Sequence, residues 1–116
     1  MKTVVVCGSR SWSDREAVKK ILEVLPDDTM LIHGRCPKGA DRIAHEYGTF
    51  RGWKIRPYPA DWNTLGKKAG FVRNEQMLNV GPDLVIAFWD GESRGTKHMI
   101  DGARKRKLRL LVIDGE

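Results

Sequence analysis

The residues best suited to bind a phosphate lie where an apolar run passes into a helix near the C-terminal end of the chain. Residues 83–99 read DLVIAFWDGESRGTKHM. Gly95 allows close approach of the backbone, and Arg94 carries charge. Ser93 and Thr96 carry hydroxyl groups. A helix start exposes backbone N–H groups that lack intrahelical partners, together with the positive end of the helix dipole. The segment therefore predicts an anion site.

A second candidate loop, CGSRSW, follows the first apolar run of the chain. Gly8 and Ser9 are typical of a tight turn, which alone explains them as well as binding does. Arg10 favours binding, because a guanidinium just past a strand end is shaped for bidentate contact with phosphate. The loop lacks the full GxGxxG and GxxxxGK[ST] patterns, so it predicts neither an NAD site nor a kinase-type ATP site.

The segment HGRCPKGAD is a third loop between a strand and a helix, marked by Gly34 and Gly39. Asp41 lies at the start of the following helix. A carboxylate there is most often an N-terminal cap or a first-turn residue that interacts with the helix dipole. The functional alternative is that Asp41 accepts hydrogen bonds from a ribose hydroxyl.

Cations gather near the start of a later helix, in GKKAGFVRNEQM. Arg73 and Asn74 follow two glycines and two lysines there, which favours a nearby anion. The alternative is that these charges are solvated on an exposed face. Trp62 in a loop and Trp89 at a strand end could stack on a base or serve in packing.

The cysteines and histidines predict no metal site and no cofactor. Cys7 and Cys36 lack the spacing of metal ligands and the density of a disulfide framework, so both are expected to be free thiols. Cys7 is expected to be a small buried residue. His33 is expected to be an interior side chain, and no His, Cys and Asp cluster has ligand spacing.

The elements that must position these loops alternate between strand and helix. Short apolar or β-branched runs predict five strands, and segments with apolar residues at helical spacing predict four helices. Pro57 places the third strand at an edge of the sheet. The predicted strands are residues 3–8, 30–34, 53–59, 83–89 and 108–114.

Capping and stop signals mark the helices. Ser13 and Glu16 form a capping-box signature for the first helix, which Pro26 ends. One face of the second helix is predicted to carry Ile43, Ala44, Tyr47 and Phe50. The third is predicted from about residue 71 to 79, after a polar loop over residues 60–70, and the fourth from about residue 94.

Strands separated by helices predict an α/β fold built from right-handed βαβ units. We expect one domain over residues 1–116, a Rossmann-like three-layer sandwich whose five-stranded parallel sheet has the order 3-2-1-4-5. Ligands of such sheets bind at the carboxyl ends of the strands where the strand order reverses. That crevice lies between the first and fourth strands, so the loops at 8–12 and 90–96 should meet there.

The composition favours acidic partners without choosing among them. The formal net charge is +6, and part of it comes from a basic cluster that is either a solvated helix end or a surface for nucleic acid. No segment resembles a signal peptide or a membrane span, so a cytoplasmic protein without membrane contact is expected. The basic cluster consists of Arg104, Lys105, Arg106, Lys107 and Arg109.

Several blocks, in order, resemble the SLOG superfamily in its small YspA/YpsA-related branch. They are VVVCGSRSW, IHGRCPKGADRIAHE, YPADW, GKKAGFVRNEQM and DLVIAFW with SRGTKHMI, and they extend over nearly the whole chain. The superfamily includes the Lonely Guy phosphoribohydrolases and the DprA/Smf DNA-uptake proteins. The resemblance implies a Rossmann-like fold, a nucleotide or nucleotide-derived ligand, and a homo-oligomer.

The resemblance to the Lonely Guy hydrolases fails at a catalytic position. Those enzymes use an Arg in an RKxxM block and a Glu in a GGxGTxxE block to cleave the bond between base and ribose. Arg73 and Met77 keep the first block, whereas Met99 stands where the second requires Glu. A thioether can neither transfer a proton nor stabilise an oxocarbenium ion by charge. Arg73 remains a candidate catalytic residue. The carboxylates that could replace the missing Glu from nearby are Glu75, Asp90 and Glu92.

Three functions follow from the sequence. The leading hypothesis is binding or sensing of a nucleotide-like phosphate ester. The second is a nucleotide or N-glycosidic hydrolase with a displaced carboxylate, and the third is a nucleic-acid module that uses the basic cluster. In the leading hypothesis Arg73 and Arg94 neutralise charge, and Asp41 or Asn74 contacts the sugar or base. Phosphate would be held by Gly8, Ser9, Arg10, Ser93, Gly95 and Thr96.

Overall fold

A single parallel sheet of five strands organises residues 2–115, which the computed structural model describes. The strands follow the order β3-β2-β1-β4-β5, and every neighbouring pair is parallel. This confirms the predicted order and the α/β Rossmann-like class. The strands are β1 (Thr3–Gly8), β2 (Met30–His33), β3 (Lys54–Pro57), β4 (Leu84–Trp89) and β5 (Leu110–Asp114).

Helices cover both faces of the sheet. α1 and α2 pack on one face, and α4 and α5 pack on the other. No helix among residues 2–115 is long and apolar enough to cross a membrane. The helices are α1 (Arg15–Leu22), α2 (Ala40–Arg51), α3 (Trp62–Leu65), α4 (Ala69–Asn79) and α5 (Arg94–Lys105), with a 3-10 turn at Gly66–Lys68.

The period-two alternation of the strands divides the core into two clusters. Val4 and Val6 of β1 lie under α1 and α2, whereas Val5 and Cys7 lie under α4 and α5. β1 is therefore covered on both faces, as its continuous apolar run predicts. Burial raises the pKa of the Cys7 thiol, so this cysteine is a protonated, apolar part of the core.

The prediction of a loop over residues 60–70 was wrong. That segment holds α3, whose cap is the Asp61 side chain accepting a hydrogen bond from Thr64 N at 3.2 Å. A helix of four residues is too short to show an apolar period, so pattern reasoning could not detect it. α4 begins at Ala69, earlier than predicted, because it continues from the 3-10 turn without a side-chain cap.

Two details of the first two helices were also wrong. Asp14, not Ser13, caps α1, because its carboxylate accepts from Ala17 N at 3.1 Å and the helix begins one residue later. Phe50 was predicted to lie on the apolar face of the second helix, but it is 82% exposed. The face of α2 that meets the sheet includes Gly48, where a Cβ atom would lie 3.0 Å from Leu31 Cδ2. Position 50 lies about 200° further around the helix.

α4 and α5 pack closely side by side. A Cβ atom on Gly102 of α5 would lie 2.5 Å from Leu78 Cδ1 of α4, so a side chain does not fit there without a shift. Arg106 of α5 also pairs with Glu75 of α4. The glycine therefore lets the Leu78 side chain of α4 pack directly against α5, beside the site.

Candidate functional site

A cavity of about 740 Å³ opens at the carboxyl edge of the sheet, where the loops after β1, β2, β3 and β4 meet the side of α4. This includes the point between β1 and β4 where the strand order reverses. Its volume is typical of small-molecule sites. The predicted ligand-binding residues that line it are Gly8, Ser9, Arg10, Gly34, Asp41, Arg73, Asn74, Ser93, Gly95 and Thr96.

Ser9 connects the loops after β1 and β4. Its backbone N–H donates to Phe88 O at 3.0 Å, and its hydroxyl accepts from Asp90 N at 3.2 Å. Its carbonyl accepts from Trp12 N at 3.1 Å, which turns the chain towards α1. The buried Ser9 is therefore part of the loop framework, and its hydroxyl is already in use.

Gly8 and Gly39 allow the start of α2 to approach the loop after β1. A Cβ atom on Gly8 would lie 2.5 Å from Ala40 Cβ, and one on Gly39 would lie 2.4 Å from Ser9 O. Gly39 also has a φ of +79°, which L side chains rarely adopt. These close approaches explain both glycines without reference to a ligand. Gly39, moreover, does not line the cavity.

The loop after β4 is held by its own side chains. Asp90 Oδ1 accepts from the backbone N–H groups of Glu92 and Ser93, each at 2.8 Å. These hydrogen bonds, of which the one from Ser93 has the largest effect, hold the pKa of Asp90 below its usual value. Ser93 caps α5 by accepting from Thr96 N at 3.3 Å, and its hydroxyl lies 3.0 Å from Thr96 Oγ1.

The first turn of α5 leaves backbone donors available. No described residue accepts a hydrogen bond from the N–H groups of Arg94 or Gly95. A Cβ atom on Gly95 would meet nothing within 4 Å, and Gly95 lines the cavity. These donors at the positive end of a twelve-residue helix can bind an anion. The side chain of Arg94, in contrast, is exposed and lies outside the cavity lining.

Asp41 is a first-turn residue of α2, as predicted, but it does not cap its own helix. Its Oδ2 accepts from Gly34 N at 3.1 Å and from Cys36 N at 3.3 Å, so it shapes the loop after β2. Burial raises the pKa of Asp41 to about 6, against the opposing effects of these hydrogen bonds and of the Arg73 charge. Oδ1 accepts no hydrogen bond from a described residue, and Asp41 lines the cavity.

Arg73 and Asn74 connect α4 with three loops. Arg73 Nη1 donates to Gly34 O and, at 3.5 Å, to Tyr58 O, while its Nε donates to Asn74 Oδ1 at 3.0 Å. Desolvation lowers the pKa of the guanidinium, although Arg remains charged. Asn74 Nδ2 donates to Gly95 O at 3.2 Å, so α4 also supports the start of α5.

The candidate carboxylates separate into two groups. Glu75 pairs with Arg106 and lies 3.6 Å from His98 Nε2, outside the cavity lining. Glu92 is exposed and also outside it. Asp90 lines the cavity together with Asp41, which the sequence suggested only as a cap or ribose contact. The raised pKa of Asp41 depends on burial by distant segments, so no local pattern could reveal it.

The outer rim of the cavity is aromatic. Trp62 is 49% exposed and Phe71 is 45% exposed, and both line the cavity. Trp62 was noted in the sequence as a possible stacking residue, whereas Phe71 was not, because its place on the third predicted helix gave no functional signal. Trp89 donates to Ser93 O at 3.1 Å and does not line the cavity, which supports its packing role.

Positive charge dominates the cavity lining, since Asp41 and Asp90 are its only carboxylates among the described residues. An anionic ligand would be attracted to this lining. The four cations are Arg10, Arg35, Lys67 and Arg73.

His33 is an interior residue, as predicted. Its Nδ1 accepts from Arg35 N at 2.9 Å, so its Nε2 carries the proton and donates to His45 Nδ1 at 3.0 Å. Burial lowers the pKa of His33 to about 4, which keeps the ring neutral. Within residues 2–115 no group of three His, Cys, Asp or Glu side chains could hold a metal ion.

The basic cluster lies at the C-terminal end of α5 and in the turn that follows, whereas the N-terminal end of that helix opens on the cavity. Arg106 donates to Gly102 O at 3.2 Å and to Asn79 Oδ1 at 3.1 Å. This cation therefore supports the packing of α5 on α4. The other four side chains of the cluster are exposed.

The fold and the cavity define a Rossmann-like domain with a polar crevice at its switch point, and comparisons with known proteins identify its family. A family model described as the YspA, cpYpsA-related SLOG family matches residues 2–64. The gene 61 protein of Mycobacterium phage D29 is 37% identical over 120 aligned positions, which cover 96% of this chain and 95% of that protein. The chain belongs to the YspA, cpYpsA-related SLOG family, as its motifs predicted.

A solved structure shares the fold. The C-terminal domain of a hydrogenase from Pyrococcus furiosus superposes with a TM-score of 0.52, covering 96% of this chain and 90% of that one. Its sequence identity is 15%, so the similarity concerns the fold alone.

Proposed function

We propose that this protein binds or senses a nucleotide or a nucleotide-derived phosphate ester at the carboxyl edge of its sheet. The observation that carries the proposal is the first turn of α5, where the N–H groups of Arg94 and Gly95 have no acceptor among the described residues and Gly95 lines the cavity. Membership of the SLOG family supports a nucleotide-related ligand.

The cavity offers separate groups for phosphate and sugar. Arg10 is exposed and lines the cavity, so its guanidinium can bind phosphate oxygens beside the first turn of α5. Asp41 Oδ1 can accept from a ribose hydroxyl, because only Oδ2 is committed to the loop. Asn74 already uses its amide oxygen and nitrogen within the protein, so its role is to position α5.

Calorimetry with AMP, ADP-ribose and NAD tests the proposal. Arg10→Ala should weaken binding about tenfold or more, since hydrogen bonds to charged groups contribute about 1.5–3 kcal/mol. Arg94→Ala is the matched control, because it removes the same charge from a side chain outside the cavity and should change affinity far less. Absence of binding to the whole panel, or equal losses in both variants, would contradict the proposal.

A second candidate function, hydrolysis of an N-glycosidic bond, is favoured by one observation. Asp41 and Asp90 line the same cavity with pKa values displaced in opposite directions. Such a pair can supply a proton donor and an ionised stabilising group. In this reaction the bond between base and ribose breaks and Asp41 protonates the leaving base. The oxygen of water then bonds to the sugar carbon, and the proton that the water loses restores Asp41.

Chromatography of nucleoside monophosphates after incubation with concentrated protein tests this second function. Free base should appear with wild type and not with Asp41→Asn, and the rate should fall as pH rises above about 6, where Asp41 loses its proton. If wild type releases no base, this second function is wrong and only the binding proposal remains.

A further inference from the structure

The aromatic rim of the cavity is exposed, whereas two other tryptophans of the protein are buried. Trp12 and Trp53 are almost fully buried, whereas Trp62 of α3 and Phe71 of α4 remain about half exposed at the cavity mouth. Single exposed apolar residues are ordinary. Two aromatic rings that line one polar cavity form a surface suited to a flat, unsaturated ligand group.

Both rings are held in place by the protein. The Trp62 ring lies across the start of α4, since a Cβ atom on Gly70 would be 3.3 Å from Trp62 Cη2. Asp61 caps α3 and so fixes the backbone next to Trp62. The Phe71 ring packs against the His98 ring of α5, with centroids 4.5 Å apart. A ligand would therefore meet positioned rings, which reduces the entropy lost on binding.

The rim is connected to the start of α5. His98 Nδ1 lies 3.2 Å from Asn74 Nδ2, and that nitrogen also donates to Gly95 O at 3.2 Å. One chain of contacts thus runs from the Phe71 ring to the helix start at Gly95. The aromatic rim and the anion site belong to one cavity, and contacts within the protein fix their separation.

We propose that Trp62 and Phe71 form a stacking platform for the base of the ligand, while the first turn of α5 holds its phosphate. This rests on the proposed function and narrows its ligand class to phosphate esters that carry an aromatic base, rather than simple sugar phosphates. Every base has a π-face, so the platform selects for the presence of a base rather than for one particular base.

A matched ligand pair tests the platform. AMP and ribose 5-phosphate share the sugar and the phosphate and differ in the base, so wild type should bind AMP about tenfold or more tightly, as expected for base–aromatic stacking. Trp62→Ala and Phe71→Ala should each weaken AMP binding by about tenfold and leave ribose 5-phosphate unchanged. Trp62→Phe keeps a ring and should restore part of the AMP affinity.

Two control variants keep the result interpretable. Phe50→Ala removes an aromatic ring that is exposed but lies outside the cavity, and it should leave both affinities unchanged. Circular dichroism reports whether each variant folds. If Trp62→Ala unfolds, Trp62→Leu keeps an apolar contact with Gly70 without a π-face and should show the same loss of AMP affinity.

The outcomes separate the two proposals. If ribose 5-phosphate binds as tightly as AMP and the Trp62 variants bind AMP normally, the platform is wrong and the proposed phosphate site stands. If wild type binds neither of these ligands and also fails to bind ADP-ribose and NAD, the proposed function fails and the platform fails with it.

Discussion

The two sides of the cavity differ in how far their side chains are already engaged in contacts within the protein. On the loop side, formed by residues 8–12 and 90–96, Ser9, Asp90 and Ser93 are hydrogen-bonded within the protein. On the rim side, residues 61–71, Trp62 and Phe71 expose about half of their surface. The loop side is built to hold a backbone conformation, and the rim side is free to contact another molecule.

This difference changes the role that we assign to the polar residues of the loop motifs. Serine and threonine at the strand ends suggested direct phosphate contacts, and Asp90 was a candidate catalytic carboxylate, yet Ser93 and Asp90 mainly fix the turn into α5. The backbone N–H groups that this turn leaves open are then the binding groups. We therefore expect substitution of the hydrogen-bonded side chains on the loop side to reduce stability, and substitution of the exposed rings on the rim side to reduce affinity. Arg10 and Gly95 are the loop-side positions at which affinity should change instead.

The largest effect should come from Gly8. Gly8→Ala places a methyl group 2.5 Å from Ala40 Cβ and 2.7 Å from Phe88 O, so α2 or β4 must move. We expect a loss of about 3 kcal/mol or more in the free energy of unfolding, at or above the upper part of the range for overpacking. Urea denaturation measures it, and a variant as stable as wild type would refute the close approach.

Gly95→Ala is the matched control for Gly8. Its methyl group meets nothing within 4 Å and lies in the first turn of α5, so stability should be unchanged or rise by about 0.5–1 kcal/mol. The same methyl group should weaken phosphate binding, because it occupies space in the cavity. Loss of stability in this variant would contradict the open space found there.

Asp41 should produce the next largest effect, one that depends on pH. Its folded pKa of about 6 exceeds the ordinary value of 3.8, so its contribution to stability is present below about pH 4 and lost as pH rises through 6. Relative to Asp41→Asn, wild type should lose about 2 kcal/mol of unfolding free energy between pH 4 and 7. Thermal unfolding of both proteins across this range measures the difference.

The comparison with Asp90→Asn should show the opposite dependence of stability on pH. The pKa of Asp90 is lowered, so its stabilising contribution is present above the ordinary value and lost as pH falls. Relative to this variant, wild type should gain stability as pH rises. Equal pH slopes for the two pairs would show that the carboxylates do not differ as the structure indicates.

The smallest effect on the loop side should come from Ser93. Ser93→Ala removes the N-cap of α5 and should reduce the free energy of unfolding by about 1 kcal/mol. Lys67→Ala on the rim should stay within about 0.5 kcal/mol of wild type, since Lys67 is exposed. Chemical denaturation of the two variants compares the sides directly, and a larger loss for Lys67→Ala would reverse the contrast.

The sequence predicted the sheet better than the site. Strand order follows from alternating elements and the handedness of crossovers, both of which are local or general rules. The loops at Gly8 and Ser93 were located for the same reason. α3 was missed because four residues carry no period, and the rim role of Phe71 and the raised pKa of Asp41 arise only when distant segments fold together.

The glycine at position 102 has a consequence for ligand size. Gly102 lets Leu78 of α4 pack against α5, and at the other end of the same two helices the Phe71 ring packs against His98. The packing of α4 on α5 at the end remote from the ligand thus contributes to the distance between the start of α5 and the Phe71 ring. A relative with a bulkier residue at this position must either move Leu78 or separate the helices. Where the helices separate, we expect the site to accept a longer molecule.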